Sequence, residues 1–467
     1  MMARNDISAW YGGRPMATLC AFGLLLAALI IGGAASRAGA TPVPGARYEG
    51  VASCAGTTCH GRMEADGAVV RQDELMRWQD PASQGGAHSR AFSVLLGARA
   101  RQIAATLGMG EASAAPACLG CHSTPTGGLR GPRFQASDGV GCEACHGPAS
   151  GWIASHYTAG QSHAGNVAHG MVALEQPMTR AAVCLDCHFG SARTGQFVTH
   201  RMMAAGHPRV SFELDLFSTL QQHHNEDADY AQRKGLTDSV RMWAVGQAMA
   251  VGRALTLYSM ASPSFGSEGV FPEFYFFDCH SCHRRIYDQA TRVKTWESNP
   301  GRAIPSGMPP FNDENMILLS AAARVAAPGM AARLDTDVRA FHAALARDRP
   351  SAMIAGRKLA LTANALAETL SSIHGSGDMT FAMVDSIAGP TTAPRFTDYE
   401  GSVQAVMAID TLLNALVKQH RVMLGAAAGI RANINRAYTA VRDPNDYHPA
   451  DFRVSLGDAV HAIRVLR

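Results

Sequence analysis

Lysine is nearly missing from this chain. Of 41 basic residues only Lys234, Lys294, Lys358 and Lys418 are lysine. Charge of either sign is sparse at 17%, and the formal net charge is only +3, so no electrostatic footprint for nucleic acid is present. Past the N-terminus no stretch is long and apolar enough to span a bilayer, which excludes a multi-span membrane protein. Cysteine stops at Cys282, leaving the last two-fifths of the chain without thiols. What remains is a 467-residue chain, ample for a core and of a length that suggests two domains, with eleven cysteines crowded towards its front.

The N-terminus reads as a secretory signal. Arg4 and Arg14 precede an apolar stretch from Met16 to about Ala35, and Ala38-Gly39-Ala40 supplies a small-x-small cleavage site. A retained membrane anchor is the rival reading, since the stretch approaches spanning length. Cleavage after Ala40 removes Cys20 and leaves ten cysteines, all in pairs. It also removes Arg4, Arg14 and Arg37 against Asp6, which brings the polypeptide close to neutral.

Each pair is followed by histidine. Cys118-Leu119-Gly120-Cys121-His122, Cys142-Glu143-Ala144-Cys145-His146, Cys184-Leu185-Asp186-Cys187-His188 and Cys279-His280-Ser281-Cys282-His283 share one spacing. That spacing lets two thiols add to the two vinyl groups of one porphyrin while the next imidazole reaches its iron. A random chain of this composition would hold on the order of one hundredth of such a motif. Zinc clusters, thioredoxin-like pairs and disulfide frameworks do not set a histidine after every pair. Cys54 to Cys59, with His60 next, has four residues between its cysteines, and a longer loop can still serve one porphyrin. The expectation is five covalently attached c-type haems, with His60, His122, His146, His188 and His283 on the irons. The second and third motifs start only twenty-four residues apart, which predicts neighbouring haems. Arginine suits haem propionates because its fork meets a carboxylate with two hydrogen bonds; a coding bias explains the arginine excess equally well.

Further histidines are candidates for the second axial position. His88 opens a helical segment, and His156 follows Trp152 at helical spacing, so both can face one haem. His200 and His207 lie seven apart, ahead of Pro208, and can serve two haems from one helical face. Met202 and Met203 are alternatives that read better as packing, while His223-His224 sits in a polar stretch and reads as exposed. His280, inside its attachment loop, is expected to point to solvent.

Residues 237–260 predict a long amphipathic helix capped by Thr237 or Asp238. The aromatic run Phe274 to Phe277 is either a flat wall for a haem or a short core strand. From about Asn312 the chain turns alanine-rich, and helices are predicted at roughly 313–327, 331–347, 351–373, 398–420, 422–442 and 449–466, forming an antiparallel bundle. The bundle histidines (His342, His374, His420, His448 and His461) read as surface or capped residues, with a distal ligand from His342 or His461 across the domain boundary as the alternative. The domain reading is therefore a signal peptide over 1–40, a five-haem domain over 41–305 and a helical bundle over 306–467.

The run Gly139-Val140-Gly141-Cys142-Glu143-Ala144-Cys145-His146-Gly147-Pro148 resembles the cytochrome c-554 family of multihaem cytochromes. So do His200 through Leu214 with its Ala-Ala-Gly-His-Pro centre, the long-spaced first motif, and Asp278-Cys279 through His283. The resemblance covers roughly residues 48–290. It implies a mainly α fold with little regular sheet and a periplasmic electron carrier whose haems stack in close pairs, mostly between two histidines. It also implies His88, His156, His200 and His207 as distal ligands, four candidates for five irons. In that family one haem can lack a distal ligand.

Two functions follow. One is electron transfer between a quinol-oxidising membrane donor and a periplasmic or outer-surface acceptor. The other is an oxidoreductase that binds hydroxylamine, nitric oxide, nitrite or a sulfur oxyanion at an open haem, with Arg201, Arg209 and His163 as the nearest polar donors. Haem counting cannot name a substrate, so electron transfer is preferred.

Overall fold

Eighteen α-helices and no strand make up the described part of the chain, joined by short 3-10 turns and two isolated β-bridges, Tyr48 with Arg130 and Phe277 with Phe311. The computed structural model describes residues 43–65, 71–193, 195–224, 226–260, 273–280, 282–283, 309–391 and 398–467. The expected signal peptide, Ser281 and the expected boundary near 305 lie outside these residues.

The first half is built of short helices, six of which carry a cysteine pair or a histidine. Pro116–His122, Cys142–His146 and Pro177–His188 all end on the histidine of a motif. Proline at the start of two of them has a fixed φ suited to a first helical turn and no N–H to leave unpaired.

Ser239–Tyr258 runs through the centre of the molecule. Asp238 caps it, accepting a hydrogen bond from the Arg241 N–H. The expectation of an amphipathic helix is corrected here, because sixteen of its twenty residues are buried. It touches Pro177–His188 and Leu214–Leu220 on the haem-motif side, and Glu314–Ala326, Arg349–Leu370 and Tyr399–Lys418 on the other. A helix enclosed on all sides needs no polar face. Gly252 lets it approach Arg349–Leu370 closely, since a Cβ there would lie 2.5 Å from the Asn364 side-chain oxygen.

Among the described residues seven helices follow residue 312 rather than the expected six. The added one is Gly377–Thr391, which buries Phe381, Met383, Val384, Ile387 and Ala388. Its apolar residues recur at helical spacing, but glycines near both ends and Pro390 read as turns. The aromatic run forms a 3-10 turn, Phe274–Phe276, and not a strand. Tyr275, Phe276 and Phe277 enter the same core cluster as the bundle helices, along with Phe197. Haem-motif segments and bundle thus share one core.

Tyr399–Lys418 also grips the stretch that follows His207. Glu400, Gln404 and Thr411 lie along one helical face. Glu400 Oε1 is 2.6 Å from Arg209 Nε, Gln404 donates to the Phe212 carbonyl at 2.9 Å, and Thr411 donates to Glu213 at 2.8 Å. The Arg209 guanidinium lies 4.6 Å over the Tyr275 ring and donates to the Tyr275 carbonyl. Glu213 in turn caps Leu214–Leu220 by accepting from the Asp215 and Leu216 N–H groups.

Breaking a buried ion pair leaves its partner charged and dry. Glu400→Ala is therefore expected to cost about 3–5 kcal/mol in denaturant unfolding. Nearby Glu314 is wholly buried, and burial pushes its carboxyl up to about 8 against an opposing pull from Arg209. An unfolded glutamate releases its proton near 4.5, whereas the folded one keeps it until about 8. Its stabilising contribution is full below pH 4.5 and is lost as pH rises towards 8. Glu314→Gln should flatten the melting temperature of the holoprotein across that window.

Candidate haem-binding centres

Helical turns explain the geometry of the regular motifs. Residues i, i+3 and i+4 of a helix share a side, so both cysteines and the histidine of Cys142–His146 face one way. In the fifth motif the His283 N–H closes on the Cys279 carbonyl at 2.8 Å, the same one-turn closure. The first motif is not helical. There the His60 N–H closes on the Cys54 carbonyl at 3.2 Å, six residues back, so the two extra residues bulge out and the histidine keeps its place relative to the first cysteine.

Opposite each motif histidine stands a second imidazole. The ring centroids are 6.1 Å apart for His60 and His156, 6.3 Å for His122 and His207, 6.0 Å for His188 and His88, and 6.2 Å for His283 and His200. His146 faces two rings, His223 at 6.3 Å and His224 at 6.1 Å. Such rings are too far apart to touch. Two metal–imidazole bonds of about 2 Å, plus the reach from nitrogen to ring centre on each side, give a separation of about 6 Å. The donor sets therefore fit one metal between each pair.

Protonation agrees. Ligating imidazole must be neutral. Burial lowers the His88 and His207 pKa values, and it takes His188 and His223 down to about 4. His60 departs from these four, its pKa raised mainly by its hydrogen bond to Glu74.

The ten described cysteines form no disulfide. Burial pushes the Cys145 and Cys279 thiols up to about 12 and Cys184 to about 11. Around these three thiols the surroundings oppose a thiolate and suit a thioether, which carries no proton. Thiol contacts also show which motifs adjoin. Cys54 meets Cys142, and Cys121 meets Cys187. Adjacency in sequence pointed to the second and third motifs, yet the sulfurs pair the first with the third and the second with the fourth. The fold between them brings the Gly195 turn against Gly120, where a Cβ would lie 2.4 Å from the Gly195 carbonyl oxygen.

The family model for cytochrome c554 and c-prime matches residues 53–147, a span that holds the first three attachment motifs. This chain carries a cytochrome c554-family region. The match supports a cytochrome with covalently bound haem c that takes part in electron transfer. Comparison with curated proteins and with solved structures gives no match.

In this cytochrome several side chains depart from the expectations. His223 and His224 are half-buried beside His146, where polar sequence context suggested solvent; the fold returns the loop after Leu214–Leu220 onto the third motif. They add the fifth facing partner that sequence counting lacked. His280 is buried, not solvent-directed, with Nδ1 2.8 Å from the Pro444 carbonyl and its ring edge-on to Tyr447. His342 is likewise buried, paired with Asp313 at 3.0 Å. The polar donors considered for an open haem do not converge, since Arg209 is locked to Glu400 and His163 pairs with Glu175 at 3.0 Å. Trp152 does lie against His156, edge-on at 5.6 Å, and Phe274 against His200 at 5.3 Å.

Two carboxylates in the haem region had no assigned role in the sequence. Glu143, between the cysteines of the third motif, accepts from the Glu49, Gly50 and Ala149 N–H groups at 2.6–2.8 Å and ties that motif to the segment before the first. Glu74 contacts His60. Neither shows a periodicity or spacing that sequence alone could read.

Gly139 holds His88 in place. Its φ is +74°, and a Cβ would lie 2.5 Å from the His88 carbonyl oxygen, which accepts from the Val140 N–H at 3.0 Å. Gly139→Ala should cost roughly 1–3 kcal/mol. It should also pull His88 from its place opposite His188, seen as a new high-spin signal of about one haem in electron paramagnetic resonance.

Proposed function

We propose that this chain is an exported five-haem cytochrome that relays electrons in a respiratory chain, each iron held between two histidines. The pairs are His60 with His156, His122 with His207, His146 with His223 or His224, His188 with His88, and His283 with His200. The observation that carries the reading is the set of five facing imidazole pairs at 6.0–6.3 Å. Bound haem c supplies a one-electron ferric–ferrous couple. Two neutral imidazoles fixed by the fold keep the surroundings nearly unchanged between the two states, which favours fast transfer over ligand chemistry. The same pairs speak against an oxidoreductase working at an open haem, because each motif histidine has a partner.

Contacts suggest an order of relay. The first motif adjoins the third through Cys54 and Cys142, and the fourth adjoins the second through Cys187 and Cys121. Cys145 of the third lies near Cys184 and Cys187 of the fourth. His207 and His200, facing the second and fifth motifs, sit seven residues apart on one segment. The row would run first, third, fourth, second, fifth. Cys59 of the first motif and Cys282 of the fifth are exposed, so partners would meet its two ends. A quinol-oxidising membrane donor and a periplasmic or outer-surface acceptor fit those roles. No described helix is long and apolar enough to cross a membrane, and the N-terminal apolar stretch with its Ala38-Gly39-Ala40 site supports export.

The test is haem quantification with low-temperature electron paramagnetic resonance on the oxidised holoprotein. Five haems per chain, all low-spin and indifferent to nitric oxide, are expected. A high-spin signal near one haem that shifts with nitric oxide would overturn the carrier reading. Replacing His223 and His224 by alanine one at a time should open the third centre in only one of the two variants.

A further inference from the structure

Glu74 begins the helix Glu74–Gln79 and is buried, with its side chain only 9% exposed. Its Oε2 lies 2.9 Å from His60 Nδ1. Its other oxygen lies 3.6 Å from His224 Nδ1, so one carboxylate stands between the first and third centres. The geometry is braced from the backbone, because the Leu75 N–H donates to the His60 carbonyl at 3.0 Å.

Three other haem-facing rings meet neutral carbonyl acceptors. His122 Nδ1 is 2.8 Å from the Ala91 carbonyl and His207 Nδ1 is 2.7 Å from the Pro208 carbonyl. His223 Nδ1 is 3.1 Å from the Gln221 carbonyl. His188 Nδ1 is buried with no hydrogen-bond partner among the described residues. The first centre thus has a charged acceptor, the second a neutral one on both sides, and the fourth none on its motif histidine.

We propose that Glu74 is a positioning residue that tunes the first haem, keeping its His60 ligand electron-rich and making that centre the low-potential end of the row. This rests on the reading that His60 ligates the first haem. A carboxylate accepting the Nδ1 proton raises the basicity of the metal-bound nitrogen. A buried negative charge beside the ring also favours the ferric over the ferrous state. Both effects lower the potential. A backbone carbonyl does so less, and an unpaired ring least. Electrons entering at the exposed Cys59 side would then run downhill towards the second and fourth centres.

The test is spectroelectrochemical titration of the holoprotein with Glu74→Gln, which keeps the shape and removes the charge. One midpoint should rise by at least a tenfold change in its reduction equilibrium, about 59 mV for one electron. Glu74→Asp, which retains the charge but shortens the reach, should give a smaller rise in the same centre. Electron paramagnetic resonance and haem content are read on the same samples. All midpoints unmoved in E74Q, with every centre still low-spin, would overturn the proposal. So would a high-spin signal appearing in E74Q, because the carboxylate would then only hold the ring in place. Failure of the underlying ligation reading looks different: the unmodified protein itself would show fewer than five haems or a high-spin first centre.

Discussion

The fold of this cytochrome answers to one constraint, the placing of two imidazoles face to face about 6 Å apart at each centre. One ring of every pair comes with its cysteines and is placed by local geometry, a helical turn or its bulged equivalent at His60. The other comes from elsewhere in the chain and must be carried to the right spot by packing. His156 reaches His60 from almost a hundred residues away, and His88 reaches His188 across a similar span. Short helices and glycine turns dominate this region because long regular elements would leave too few places for such close returns.

Packing of that kind needs a rigid base, and the later helices supply it. Tyr399–Lys418 holds Arg209, Phe212 and Glu213 through three side chains of one face, and these follow directly on the segment that bears His200 and His207. Ser239–Tyr258 joins the two halves along its length and is tied to the fourth motif by Arg253, which donates to Asp186 and to the Gly190 carbonyl at 2.7 Å each. The buried Arg209–Glu400 pair is costly to desolvate and specific in direction, a reasonable device for fixing register where apolar packing alone would tolerate a slip.

Charge around the centres is distributed unevenly, and the chain does this with few groups. Burial lowers the pKa values of four facing imidazoles, His88, His188, His207 and His223, while the carboxylate of Glu74 stands against His60. Burial alone would raise the Glu74 pKa, but hydrogen bonds with His224 and His60 outweigh it and hold the carboxyl well below its ordinary range. Facing imidazole pairs of one geometry thus sit in different electrostatic surroundings.

Attachment motifs were legible because their spacing is a local property: two thiols and an imidazole within five to seven residues can be recognised wherever they fall. The mainly helical character and most of the later helices were legible for the same reason, through apolar recurrence at 3.6 residues. Histidines 88, 156, 200 and 207 could be named as candidates but not assigned to centres, since assignment depends on residues far apart in the chain. His223 and His224 looked exposed because polarity of the flanking sequence says nothing about what the fold lays against it. Gly377–Thr391 was hidden by glycines and a proline that a packed core tolerates. The sequence by itself determined the cofactor and the helical class, because both rest on contacts between near neighbours. Only the tertiary structure decided which histidine faces which, which motifs adjoin, and where Glu74 sits, because each of those is a contact between distant segments set by the packing of the whole core.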